Sequence, residues 1–131
     1  MAPPLPPAAA EIGACVCLKE ASDALGADMA AKQNALVETR RQLEQATVDL
    51  EAERARMNVE NPEAVARFRQ KLAQRDALFQ RANGSLHAET LTAVERYNAR
   101  VNEYNARCAN RPIDPVLAAQ IRATMTCPPP Y

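Results

Sequence analysis

The sequence predicts an all-α protein: a long antiparallel two-helix coiled-coil hairpin with a short C-terminal helix. Three observations carry this reading. Ala occurs 27 times in 131 residues and Gly only three times, a composition of strong helix formers. Apolar residues recur at steps of seven in two separate stretches, the signature of a coiled-coil seam. No segment alternates with period two over a useful length, so no sheet is expected.

The elements follow in order. Pro3, Pro4, Pro6 and Pro7 mark residues 1–10 as a Pro/Ala-rich tail, extended because proline fixes φ and lacks an N–H. The first helix is expected over about residues 11–58, followed by a tight turn at Val59-Glu60-Asn61. Asn61-Pro62-Glu63 then supplies an N-cap residue, a proline at the first helical position and an acid in the first turn. The second helix runs from 62 to about 108, and Asn83-Gly84-Ser85 is a break expected to kink it near 83–85. A linker, residues 109–114, leads to Asp114-Pro115, a second start signal, and a short helix over 115–126. Pro128 to Pro130 open a second extended tail, residues 128–131. Residues 11–127 are read as one helical-hairpin domain, consistent with the chain length.

The seam fixes a register. The first arm places Met29, Leu36, Leu43, Leu50 and Met57 at steps of seven, and the second places Val65, Leu72, Phe79 and Leu86. In an antiparallel hairpin facing residues have a constant sum of numbers. Met57 with Val65, Leu50 with Leu72, Leu43 with Phe79 and Leu36 with Leu86 all sum to 122. Both arms then step by eleven, to Leu25 and to Tyr97, which again sum to 122, as do Leu18 and Tyr104. Matched eleven-residue steps predict a stutter that locally unwinds the supercoil at one level. Residues 18–60 carry a net charge of −3 and residues 62–111 a net charge of +4, which favours pairing of unlike arms. The heptad Tyr97-Asn98-Ala99-Arg100 recurs as Tyr104-Asn105-Ala106-Arg107, with both tyrosines read as seam residues.

Cys15, Cys17, Cys108 and Cys127 lie at the two ends of the chain. A Cys15–Cys17 bond would close a very small strained ring, which leaves two pairings. Cys15 and Cys108 sum to 123, within one of the seam register. Cys17 points away from the seam and is free to meet Cys127. The expectation is therefore Cys15–Cys108 with Cys17–Cys127, and the swapped pairing is next. Disulfides of this kind place the chain in an oxidising compartment, periplasmic or secreted, and the Ala- and Arg-rich composition suggests a bacterium. No signal peptide is read in this chain. Ile12-Gly13-Ala14-Cys15 is similar to a bacterial lipobox, but Pro3, Pro4, Pro6, Pro7 and Glu11 interrupt the apolar segment that such a motif needs.

The net charge of zero and the scarcity of aromatics, 4% with no Trp, argue against a nucleic-acid binder. No apolar run is long enough to span a membrane. No nucleophile, P-loop, dinucleotide or zinc-protease motif occurs, and His87 is the only histidine. No catalytic residue, metal ligand or cofactor is expected. The chain is read as a non-enzymatic structural or interaction protein: a stapled rod acting as spacer, adapter or assembly subunit. Its Pro-rich tails are read as free docking arms, and a protein partner or a dimer is expected. Two alternatives are a helical-prong chaperone gripping apolar client segments and a carrier holding a metal on Cys15-Val16-Cys17. The arrangement is broadly similar to small secreted helical hairpins clamped by disulfides. The cysteine spacing does not fit the mitochondrial twin C-x9-C pattern.

Overall fold

The computed structural model describes residues 7–131. Four helices follow one another: α1 (Pro7–Arg56), α2 (Pro62–Asn83), α3 (Ser85–Arg107) and α4 (Pro115–Ala123). There is no strand among the described residues. The two arms, α1 and α2 with α3, pack against each other as a helical hairpin, with α4 as the short C-terminal helix. Contacts divide the chain into two units. One holds the segment up to Met29 together with Ala93–Tyr131, and the other holds Ala30–Thr92.

Helix α1 begins at Pro7, four residues earlier than expected. Proline is tolerated in a first helical turn, where its missing N–H has no intrahelical partner to lose, and Ala8, Ala9 and Ala10 then favour the helix. The part of the expected extended tail before Pro7 lies outside the described residues. Helix α1 ends two residues early, at Arg56, because Asn58 starts the turn: its side chain accepts from the Glu60 N–H at 3.0 Å and its carbonyl from the Asn61 N–H at 3.0 Å. Asn61 then caps α2, accepting from the N–H groups of Glu63 and Ala64.

In the Ala30–Thr92 unit the core is small. Leu36, Ala82 and Leu86 form its buried cluster, with Ala35 and Leu43 packed against it. Three threonines sit on or near this seam without leaving an orphaned hydroxyl. Thr39, Thr47 and Thr90 each donate to the carbonyl four residues back, at 2.7, 2.8 and 2.7 Å. Thr90 Oγ1 also lies 3.5 Å from the Lys32 carbonyl oxygen, a pair whose numbers sum to 122. Lys32 meets Glu89 at 3.4 Å, and Lys71 meets Glu53. These pairs sum to 121 and 124, so the expected register describes this unit. Lys32–Glu89 reverses the expected polarity, whereas Glu53–Lys71 follows it, with the acid on α1. Exposed pairs of this kind contribute little each.

Two seam expectations need correction. Phe79 is 51% exposed, and its level is closed by Ala82, which is 0% exposed. Leu78, the neighbour of Phe79, is half-buried, so at this turn the inward position falls one residue before the expected one. The matched stutter is also absent from α1. Buried or half-buried residues follow one another on α1 in unbroken steps of three and four: Leu25, Met29, Lys32, Leu36, Thr39, Leu43. The phase changes only on the second arm, where Ala82, Leu86 and Thr90 are buried at two successive steps of four. That change falls at the break. Gly84 has φ −110° and ψ −103°, and a β-carbon there would stand 2.6 Å from the Gln80 carbonyl oxygen. The Gly84 N–H donates to that same oxygen at 2.8 Å, so the close approach is a bonded one that only glycine permits.

The remaining seam positions are graded. Leu50 is buried, whereas Met57, Val65 and Leu72 are half-buried near the turn.

Candidate functional site

Every cysteine lies in the unit formed by the segment up to Met29 and Ala93–Tyr131. Cys15 is bonded to Cys108 with Cα atoms 5.8 Å apart, and Cys17 to Cys127 with Cα atoms 5.3 Å apart. Cys15 and Cys108 occupy the seam, and both are 2% exposed. The swapped pairing does not occur. Because both members of Cys15-Val16-Cys17 are bonded, neither sulfur is a thiolate ligand, and the C-x-C metal reading loses its donors. The lipobox reading loses its acceptor in the same way, since the Cys15 sulfur is taken by Cys108.

Leu25 is buried, and Leu18, Tyr97 and Tyr104 are half-buried around the same seam. Gly26 gives Tyr97 its place: a β-carbon at Gly26 would meet the Tyr97 ring at 3.2 Å. Lys19, Ser22, Asp23, Tyr97, Val101 and Tyr104 surround a small cavity of about 190 Å³. Ser22 Oγ is buried there without a hydrogen-bond partner. On its exposed rim, the hydrogen bond and charge of Asp23 raise the Lys19 pKa above its ordinary value.

Helix α4 docks through small contacts. Asp114 caps it, accepting from the Val116 N–H at 2.9 Å, and Ile121 is its buried residue. Gly13 of α1 lies beneath Ile121 and Met125. Arg122 pairs with Glu20 at 2.7 Å and donates to the Met125 carbonyl at 2.8 Å. The helix was expected to continue to residue 126 but stops at Ala123. The Thr124 hydroxyl donates to the Ile121 carbonyl at 2.8 Å, Pro128 disfavours a helical Cys127, and the unwound residues turn Cys127 back to Cys17.

The C-terminal Pro-rich segment is not a free arm. Arg100 of α3 donates to the Pro130 carbonyl at 3.1 Å, and the Arg96 guanidinium carbon lies 4.3 Å from the centre of the Tyr131 ring, within cation–π range. Beside this strap runs a groove of about 510 Å³ floored by Ala10, Ala14, Leu18 and Ala21 of α1. The two arginines of the repeated heptad therefore divide their work. Arg100 holds the strap, whereas Arg107 pairs with Glu11 at 3.3 Å. Asn98, Asn102 and Asn105 are exposed, as is His87 in the other unit.

Sequence reasoning found the four cysteines and missed Gly13, Gly26, Arg96 and Arg100. The two glycines are the only ones within α1, a costly placement that could have signalled close contact on those faces. No family model matches the chain, and no curated protein or solved structure matches it.

Proposed function

We propose that this small disulfide-stabilised helical protein is a non-catalytic structural or interaction module. It serves as a spacer, adapter or assembly subunit in an exported, periplasmic or secreted compartment of a bacterium. The observation that supports this reading is the pair of bonds Cys15–Cys108 and Cys17–Cys127, which join the first turns of α1 to the end of α3 and to the C-terminal strap. Covalent bonds that close 93- and 110-residue separations belong to an oxidising environment and compensate for a core of few buried residues. No helix among the described residues is long and apolar enough to cross a membrane. The exposed apolar side chains Val37, Val48, Phe79 and Leu91 favour association with a second copy or a protein partner.

The test is peptide mapping without reduction on protein recovered from its native compartment, combined with chemical cross-linking in that fraction. Both bonds intact and a cross-linked partner or dimer are expected. Four free thiols in the native protein would overturn the exported reading, and a monomer that captures nothing would overturn the interaction role.

A further inference from the structure

The two disulfides are not equivalent. Cys15 and Cys108 are both 2% exposed and stand on the seam between α1 and α3. Cys17 is 9% exposed, lines the groove beside the strap, and is bonded to Cys127, which is half-buried in a non-helical segment. Thiol–disulfide exchange requires a thiolate to reach a sulfur in line with the bond it breaks. Cys17–Cys127, with one cysteine half-buried and the other on a groove, is the more accessible of the two bonds.

We propose that Cys17–Cys127 is a thiol-operated latch on the C-terminal strap, while Cys15–Cys108 is a permanent clamp. The reductant is a dithiol, small or protein-borne. Its thiolate attacks the Cys127 sulfur, forms a mixed disulfide there and expels Cys17 as a thiolate, which takes up a proton. The second thiol of the reductant then displaces Cys127. The reductant leaves as a disulfide, having given up two electrons and two protons, and the protein holds two thiols. What remains on the strap is non-covalent: the Arg100–Pro130 hydrogen bond, the Arg96–Tyr131 contact, Met125 against Gly13, and Arg122 of α4 with the Met125 carbonyl and Glu20. Each is a single contact at a partly exposed site, where solvent weakens ion pairs and cation–π contacts. Opening the latch therefore frees Thr124–Tyr131 and uncovers the α1 groove floor, without unpairing α1 from α3.

The latch is tested on the full chain with graded dithiothreitol, trapping free thiols by alkylation and mapping them by mass spectrometry. Cys17 and Cys127 are expected to be labelled together and at least about tenfold faster than Cys15 and Cys108, as sulfur access governs exchange. A second readout follows tryptic cleavage after Arg122. It is expected to accelerate severalfold in the Cys17→Ser/Cys127→Ser protein, with helical circular dichroism retained. Simultaneous opening of the two bonds, earlier opening of Cys15–Cys108, or unchanged cleavage in the double variant would each overturn the proposal.

Discussion

The Met125 sulfur lies 2.8 Å from the point that a β-carbon on Gly13 would occupy. Helix α1 thus accepts a glycine in its interior, at about 1 kcal/mol relative to alanine, so that the chain leaving α4 can rest on it. The two effects oppose each other in Gly13→Ala. Methionine is flexible and can swing its terminus aside, so this variant is expected to stay within about 1 kcal/mol of the parent. Gly13→Leu has no such escape, because Ile121 also stands over the site, 3.5 Å from the same point. It should destabilise by about 1–3 kcal/mol and loosen α4. Chemical denaturation together with hydrogen exchange at residues 115–127 checks both, and an unaltered Gly13→Leu protein would contradict the packing.

The two staples are coupled through their topology. With Cys15–Cys108 formed, the bond from Cys17 to Cys127 closes a ring of only about 21 residues: two along α1 and nineteen along the C-terminal segment. Chain entropy then assigns it about 3 kcal/mol, against the nearly 5 expected for its full loop. The same holds for Cys15–Cys108 when the other bond is present. Removing either bond by paired serine substitution should cost about 3 kcal/mol, and removing both about 8. Urea unfolding of the three variants measures this. A double loss no larger than the sum of the two single ones would refute the coupling.

Leu86 and Phe79 separate seam from rim. Leu86 is 2% exposed and belongs to the three-residue core of its unit, whereas Phe79 is half exposed. Leu86→Ala is expected to cost about 3 kcal/mol, and Phe79→Ala under about 1 kcal/mol. Thermal unfolding followed by circular dichroism distinguishes them. Equal losses would return Phe79 to the seam.

The rim residues set the expectation for self-association. Phe79 and Leu91 are 51% and 52% exposed on the second arm, and Val37 and Val48 are 67% and 57% exposed on α1. Sedimentation at high concentration should show a mass above the 14.3 kDa of one chain. Phe79→Glu with Leu91→Glu should return it to the single-chain mass with helical circular dichroism retained. A parent protein that remains at the single-chain mass at all concentrations would refute this.

The sequence disclosed most where chemistry repeats at a fixed interval. Leu36 and Leu86 could be paired by arithmetic alone because the seven-residue step recurs on both arms, and Cys15 could be matched to Cys108 by extending the same sum. It disclosed least where the apolar pattern is ambiguous. A heptad pattern cannot tell whether Leu78 or Phe79 faces inward, since the two apolar residues are adjacent and only Leu78 is half-buried. The step from Leu36 to Leu25 looked like a phase change because Lys32 is polar. Its half-buried stem nevertheless keeps the stripe continuous, as long charged side chains often do. The strap was illegible for another reason: nothing in Pro128–Tyr131 signals that Arg96 and Arg100, thirty residues earlier, will receive it.

The interlaced staples also have a mechanical consequence. Tension applied between Pro7 and Tyr131 has a short covalent route: along α1 to Cys17, across to Cys127, and out through the prolines. Nearly all of the hairpin, from Cys17 to Cys108, lies off that shortest route. Pulling on the two ends therefore stretches only residues 7–17 and 127–131, and the helices beyond Cys17 begin to unwind only after a sulfur–sulfur bond has broken.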